Sequence, residues 1–406
     1  MFELLGVESA LRSGYGKRFY RQMFDTALLL VTYEIKILLG IASMNQVGER
    51  LFKDLALLRL VGYSSDQLAS GFCKRGHKSS QKPLHKNTLA DAVEKLTAAE
   101  LEEIFNGAVK RLWERGLFAH SKGVFALDAS DLPTTKRYEG AGKRTIRKQQ
   151  KKRGKLIEVE ETVYGFKLVA LYEVALRQVV AVKVSKINPH DSTFTLELVE
   201  QARRNLGPEA VKLLLVDRGF LDGETLWKLK HDLNIDFVVP AKSNMRITQD
   251  AQSLAQELPD HDYLFFAQRP GDDKQQGEVQ LRGVRGLITY EQYGDAEHQK
   301  RINRKDFQPN PINALLIQSY NGKLAESGKE KVFLTSLPVN DPLIIYDAYD
   351  LRSLIENCLF RELKQGWNLL AFPKKTEDAV RGHVYPVKLG ERPEHPDLQP
   401  RQCLPH

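Results

Sequence analysis

The chain has 406 residues and a mass of 46.2 kDa. At about 100–200 residues per domain, this length predicts two or three domains. Hydrophobic residues make up 42% and charged residues 28%, so the composition excludes a wholly disordered chain and permits a buried core. The formal charge of +8 is compatible with a nucleic-acid partner but does not establish one.

Cysteine usage and hydropathy narrow the cellular setting. Cys73, Cys358 and Cys403 are far apart, which excludes a disulfide framework or a CxxC zinc site as a main feature. The first residues lack the pattern of a secretory signal. The most apolar stretch, residues 27–43, contains two charged residues and falls short of the ~20 apolar residues of a membrane helix. We therefore expect a cytoplasmic protein with no membrane partner.

Residues 1–118 predict an all-helical N-terminal domain. Leu28, Leu29, Val31 and Ile35 recur at helical spacing, and a second helical pattern follows residue 88. A polar, basic loop over residues 73–86 separates the two patterns.

Residues 119–245 predict the first part of a mixed α/β sheet core. Short apolar runs at 124–127 and 212–216 have the composition of buried strands, and they end in Asp128 and Asp217. Residues 162–173 and 178–186 predict two paired strands, 222–233 a helix and 235–240 a further strand. Asp191 and Ser192 are expected to cap a helix at its N-terminus. In open α/β sheets, sites usually lie at strand ends, where both aspartates are expected.

The rest of the chain predicts three further segments. Residues 246–340 are polar, with short alternating strands, and indicate a β-rich insertion. Residues 341–385 return to the core, with a helix over 347–365 that stops at Gly366. Residues 386–406 contain five prolines and predict a disordered tail.

Asp128, Asp217 and Glu356, a glutamate on the late helix, are candidate metal ligands. Carboxylates at the ends of apolar strands are costly to bury unless they have a partner. Three convergent carboxylates suit Mg²⁺, which prefers oxygen ligands, and a pair of such ions can assist phosphodiester chemistry. The alternative is that each aspartate caps a turn after its strand.

The late helix carries a more specific pattern. Tyr349, Arg352, Glu356 and a following lysine resemble the Tyr-x2-Arg-x3-Glu-x6-Lys motif of bacterial insertion-sequence DDE transposases. Asp217, followed by Arg-Gly-Phe, resembles the second acid of that family, and Asp128 resembles the first. The sequence Tyr-Gly-Phe-Lys at 164–167 is similar to the family's strand after the first acid. The resemblance covers roughly residues 120–385.

The resemblance implies a fold and an activity. It implies a ribonuclease H-like core in which Asp128, Asp217 and Glu356 are catalytic and hold Mg²⁺, with Mn²⁺ as an alternative ion. It implies cut-and-paste transposition: hydrolysis at the terminal inverted repeats, followed by strand transfer into target DNA. It further implies repeat recognition by the helical domain, a homodimer in the synaptic complex, and association with the bacterial nucleoid.

The spacing on the late helix has a physical reason. Positions −7, −4 and 0 of a helix share one face, so Tyr349 and Arg352 can hold DNA phosphates beside Glu356. The alternative is a surface helix with an Arg–Glu pair worth about 0.3–0.5 kcal/mol. The family's lysine position is Leu363 here, and the lysine is Lys364. One extra residue is expected to rotate that lysine by roughly 100° on an α-helix.

A basic run at residues 143–155 has eight Lys/Arg and no acid in 13 residues. Such a run attracts the phosphate backbone, although a solvated flexible loop is the alternative. The candidate DNA-binding residues in it are Lys143, Arg144, Arg147, Lys148, Lys151, Lys152 and Arg153.

Two other functions remain open from the sequence. The Lys364 offset and the proline-rich tail are compatible with a catalytically silent, transposase-derived DNA-binding protein. A metal-dependent nuclease that cuts without strand transfer is the third possibility.

Overall fold

A computed structural model describes residues 24–70, 85–152, 155–257, 263–268, 276–291, 310–320 and 330–389. Helices dominate the chain up to residue 114, as the periodicity predicts. They are α1 (Thr26–Leu38), α2 (Met44–Arg50), α3 (Leu55–Val61), α4 (Ser65–Ser70), α5 (Lys86–Glu94) and α6 (Ala98–Glu114). We call α1–α6 the helical unit. Most of the loop predicted at 73–86 lies outside the described residues.

Side-chain caps fix where these helices begin. Asp25 accepts a hydrogen bond from the Ala27 N–H at 3.2 Å at the start of α1. At the start of α6, the hydroxyl of Thr97 and the carboxylate of Glu100 form a reciprocal capping box. Such caps satisfy N–H groups that have no partner within the helix.

The centre of the molecule is a sheet with parallel and antiparallel pairs. Its strands are β1 (Val124–Thr134), β2 (Gly142–Lys152), β3 (Lys155–Glu173), β4 (Gln178–Lys186), β5 (Leu213–Val216), β6 (Asp236–Pro240), β7 (Tyr263–Gln268), β8 (Gln276–Leu287), β9 (Ile312–Tyr320) and β10 (Lys331–Thr335). The order is β2-β3-β1-β5-β6-β10-β9-β8-β7, and β4 pairs with β3. The strand predicted at 178–186 is confirmed to the residue.

Strands β4, β3, β1, β5 and β6 form the ribonuclease H-like part of the sheet. β1 is antiparallel to β3 and parallel to β5, and β5 is parallel to β6. Helices α7 (Thr195–Leu206) and α8 (Gly223–His231) follow β4 and β5. Three antiparallel strands joined to two parallel ones confirm the mixed α/β core that the sequence predicts.

The β-rich segment extends this same sheet. It begins with helix α9 (Arg246–Glu257), and β7–β10 then pair in antiparallel order. β10 is antiparallel to β6, with Phe333 opposite Pro240. The segment is therefore continuous with the core through its last strand.

Strands β2 and β3 form a two-stranded ribbon beyond the sheet. β1 pairs with β3 from Tyr164 onward, whereas β2 pairs with the earlier part of β3. We call residues 142–152 and 155–163 the β-ribbon. The alternative that this basic run is a flexible loop is wrong for residues 143–152, because they pair with β3 as a strand.

The last helices contact both the sheet and the helical unit. They are α10 (Pro342–Asp350), a π-helical segment (Ile355–Phe360), α11 (Arg361–Gln365) and α12 (Glu377–Leu389). Helix α12 packs on the helical unit so closely that a Cβ at Gly382 would lie 2.4 Å from the Val93 carbonyl oxygen. The tail predicted from 386 begins inside α12, and residues 390–406 lie outside the described residues. Of the described helices, none has the length and apolar character to cross a membrane.

Candidate active site

Asp128 and Asp217 lie side by side because their strands are parallel neighbours. The register pairs Leu127 of β1 with Val216 of β5, so the next residue on each strand is an aspartate. Asp217 follows its strand, as predicted. The prediction that Asp128 ends its strand is wrong, because β1 continues to Thr134 through its pairing with β3. Asp128 instead lies where the parallel partner stops.

The third acid comes from a helix that is not continuous. A single helix over 347–365 was expected, but α10 ends at Asp350 and hydrogen bonds over three residues follow, such as Arg352 N–H to Tyr349 O at 3.0 Å. A π-helical segment then carries Glu356, and α11 ends before Gly366 as predicted. π-Helical turns inside α-helices are frequent at functional sites.

Arg352 joins the first and third acids. Its Nη1 donates to Asp128 Oδ2 at 3.1 Å, and its Nη2 lies 3.6 Å from Glu356 Oε2. The side chains of Arg352 and Asp128 are 17% and 14% exposed, whereas that of Glu356 is 65% exposed. The Arg352–Glu356 contact alone would be a weak helix pair, but the Asp128 contact ties the late helix to β1.

Burial dominates the electrostatics of Asp128. It raises the pKa of this carboxyl to about 6, against the lowering effect of the Ala129 N–H at 2.7 Å and of Arg352. The negative charges of Asp217 and Glu356 raise the pKa further. A cation between these acids would relieve that repulsion.

Tyr349 lies behind Arg352. Its ring centroid is 5.9 Å from the Arg352 guanidinium carbon and 4.3 Å from the Phe333 ring. Burial raises the pKa of Tyr349 to about 12, so its hydroxyl stays protonated near neutral pH. Its contacts make it a support for the Arg352 side chain.

Lys364 lines the same cleft as Glu356, although an α-helix would turn it away. The prediction of a roughly 100° rotation is wrong because the intervening π-helical segment takes up an extra residue per turn. Leu363, at the spacing of the family's lysine, is fully buried.

The acids and Lys364 line one open cleft of about 530 Å³. The sequence reasoning missed Ser130, Asn357, Arg361 and Gln365, which also line it. Arg361 is five residues after Glu356, a spacing that shares a face in a π-helix but not in an α-helix. Sequence periodicity for an α-helix could not identify it.

The basic residues of the β-ribbon lie away from this cleft lining and face acids on the paired strand. Arg147 Nε is 3.2 Å from Glu160 Oε1, and Lys148 Nζ is 2.7 Å from Glu161 Oε2. Arg144 Nη2 donates to Asp131 Oδ2 at 2.6 Å. The basic run contains no acid itself, but acids on the neighbouring strands lie next to its side chains. Lys143 is exposed, Lys151 and Lys152 are placed as part of β2, and Arg153 lies outside the described residues.

The donor chemistry of the cleft fits a hard divalent ion. Asp128, Asp217 and Glu356 all offer carboxylate oxygen, which suits Mg²⁺ or Mn²⁺. Within the described ranges, however, no three metal-ligating side chains are grouped closely enough to hold an ion. The Arg352 guanidinium lies between two of the three acids.

The sheet order and the acidic cleft define a ribonuclease H-like protein. A family model described as the transposase DDE domain matches residues 119–388, and the chain belongs to this transposase family. A solved piggyBac transposase, in a synaptic complex with hairpin DNA, is similar at 11% identity and a TM-score of 0.41. That similarity covers 96% of this chain and 72% of the other. Comparison with curated proteins finds no match.

Proposed function

We propose that this transposase catalyses cut-and-paste transposition of a bacterial insertion sequence. The observation that carries the proposal is the gathering of Asp128, Asp217 and Glu356 in one cleft of a DDE-family chain. The reaction is hydrolysis at each terminal inverted repeat, followed by attack of the freed 3′-hydroxyl on target DNA.

The three acids would hold Mg²⁺, or Mn²⁺ in its place. Ions held by these carboxylates would supply activation of the attacking oxygen and stabilisation of the leaving oxygen. Asp128 lies within β1 and Asp217 directly follows β5, so the paired strands position this side of the site. Glu356 is mostly exposed, and Arg352 holds it toward Asp128.

Cations around the acids supply the contacts to DNA. Arg352, Arg361 and Lys364 line the cleft and would hold phosphates next to the scissile bond. Tyr349 supports Arg352 through ring contact. The lysines and arginines of β2 in the β-ribbon lie outside the cleft lining and would contact the DNA backbone further along the duplex.

The rest of the assembly follows from the reaction. The helical unit would recognise the terminal inverted repeats, and two protomers would bridge the two ends in a synaptic complex. We place the protein in the bacterial cytoplasm, on the nucleoid when it is bound to DNA.

The alternative is a catalytically silent DNA-binding descendant. The Arg352–Asp128 ion pair favours it, because a guanidinium already occupies one oxygen of the first acid. The cleft position of Lys364 argues against it, since the spacing departure does not remove this lysine from the site.

Nicking of fluorescent duplexes that carry the element's own ends tests the proposal. With Mg²⁺, the wild-type protein should cut at the repeat terminus, and Glu356→Ala should abolish the cut. Glu362→Ala is the matched control, because Glu362 is an exposed glutamate nearby whose carboxylate instead accepts from Trp367 Nε1 at 2.9 Å. It should cut like wild type.

The outcomes separate the functions. Salt-sensitive binding without cutting by the wild type would establish the silent descendant. Cutting without joined products would indicate a nuclease. Cutting that survives Glu356→Ala would overturn the assignment of the third acid.

A further inference from the structure

A buried lysine lies behind the second acid. Lys167 is on β3, opposite Asp131 of β1, and its side chain is only 2% exposed. Its ammonium donates to the Pro189 carbonyl oxygen at 2.8 Å and to the Asp191 carboxylate. Removing an ammonium from water costs several kcal/mol, so such a pair is weak evidence for stability alone. The role of the Lys167–Asp191 pair is therefore sought in the segments that it joins.

Asp191 is committed to this lysine and not to a helix cap. The sequence predicts Asp191 and Ser192 as an N-cap, and this prediction is wrong. The 3₁₀ turn Asp191–Phe194 is capped by the imidazole of His190, and α7 begins without a side-chain cap. The carboxylate of Asp191 is therefore available to fix the 187–194 loop to the sheet through Lys167.

The other oxygen of Asp191 reaches the turn that carries Asp217. A Cβ built on Gly219 would lie 3.3 Å from Asp191 Oδ2. Gly219 is two residues after Asp217, inside the 3₁₀ turn Arg218–Phe220. Asp217 itself has extended backbone and makes no side-chain cap hydrogen bond to that turn. The 187–194 loop is thus packed against the backbone that presents the second acid.

We propose that Lys167 and Asp191 are positioning residues that hold the Asp217 turn in place for metal binding. Lys167 on the sheet is hydrogen-bonded to Asp191, and Asp191 Oδ2 lies so close to Gly219 that a Cβ there would be 3.3 Å away. Groups that orient a metal ligand typically change metal affinity by about 10- to 100-fold when they are removed. This inference rests on the proposed function, since it requires Asp217 to bind the ion.

The experiment measures Mn²⁺ binding to the full-length protein without DNA, by electron paramagnetic resonance at pH 8. Lys167→Met should weaken binding by on the order of 10- to 100-fold, and Lys167→Arg should recover part of it. Gly219→Ala presses on Asp191 without removing a buried charge, and it should also weaken binding. Lys183→Met is the matched control, because Lys183 is a lysine on β4 that pairs with Glu197 of α7 outside the cleft lining.

Each result decides the matter. Weaker Mn²⁺ binding in Lys167→Met and Gly219→Ala, with Lys183→Met at the wild-type value, supports the inference. If Lys167→Met does not fold, Gly219→Ala alone carries the test. Wild-type affinity in folded variants that have only a lower melting temperature would show a purely structural pair. If the wild type binds Mn²⁺ and nicks DNA while the folded variants bind Mn²⁺ equally well, the inference fails and the proposed function stands. A wild-type protein that neither binds Mn²⁺ nor nicks DNA would overturn both.

Discussion

The cleft around Asp128 and the contact between α12 and the helical unit both hold ionisable side chains out of water. Within the helical unit, burial raises the pKa of Glu34 to about 8, and at its contact with α12 burial lowers the pKa of His383 to about 3. Both groups are therefore neutral near pH 7. In the cleft, burial raises the pKa of Asp128 only to about 6, so at pH 7.5 it is ionised beside Arg352.

The hydrogen bonds show what the difference means. His383 Nε2 lies 3.1 Å from the Asn368 carbonyl oxygen and must donate to it, so Nδ1 accepts from the Tyr33 hydroxyl at 2.8 Å. The neutral imidazole is satisfied on both sides and joins α12 to α1. Asp128, by contrast, keeps a charge that Asp217 and Glu356 repel. The helical contact is arranged for stability, and the cleft retains charge at a cost to stability.

Asp128→Asn should separate these two roles most strongly. Loss of a carboxylate ligand should slow cleavage by on the order of 1000-fold, or about 4 kcal/mol of transition-state stabilisation. The folded pKa exceeds the unfolded value near 3.9, so stability falls as pH rises from about 4 to 6. The amide should therefore raise the free energy of unfolding at pH 7.5 by about 1–2 kcal/mol. Nicking rates and urea unfolding measure both.

A gain in stability that persists at pH 4 would contradict this account, because Asp128 is then protonated in the folded protein. Equal cleavage by Asp128→Asn and wild type would remove Asp128 from the catalytic set.

Exchange of the residues at 363 and 364 tests the π-helical register. The double variant Leu363→Lys, Lys364→Leu restores the family's spacing but places an ammonium at a fully buried position. We expect the free energy of unfolding to fall by about 3 kcal/mol or more. Lys364→Leu alone should leave stability nearly unchanged and weaken DNA binding. A stable double variant with improved cleavage would contradict the register in the structure.

Gly382→Ala tests the packing of α12 on the helical unit. The added methyl group would meet the Val93 carbonyl oxygen at 2.4 Å, so the helices must separate. Overpacking of this kind should lower the free energy of unfolding by about 1–3 kcal/mol. Gly107→Ala in α6 is the control, because nothing lies within 4 Å of its Cβ position. It should be neutral or stabilising by up to ~1 kcal/mol, and an equal loss in both variants would refute the contact.

His383 should give the helical contact a pH dependence opposite to that of Asp128. In the unfolded chain His383 takes up a proton with a pKa near 6.5, whereas in the folded protein its pKa is about 3. Stability should therefore fall as pH decreases below about 6.5, by at most ~1.4 kcal/mol per pH unit. His383→Gln can keep both hydrogen bonds and should lose this slope. The exposed His120→Gln should retain it, and identical slopes in wild type and His383→Gln would rule out His383 as the source.

The sequence determined the sheet core and the position of Asp217, because short apolar runs have few places other than a buried strand. The sequence also predicted both aspartates at strand ends, but the parallel pairing of β1 with β5, which places Asp128 beside Asp217, comes from the structure. The assignment of these residues to catalysis is a prediction that the nicking assay addresses. The domain boundaries stay predictions as well.

Tertiary structure alone decided the features that depend on partners distant in sequence. The basic run forms part of the β-ribbon because it pairs with β3, which also carries acids such as Glu160 that pair with its cations. Lys364 lines the cleft and Leu363 is buried because a π-helical segment precedes them, and α-helical periodicity does not predict such a segment. Asp191 does not cap a helix as expected, and its carboxylate instead accepts a hydrogen bond from Lys167, 24 residues away. Local patterns fix which segments are apolar, but long-range contacts choose the partner of each charge.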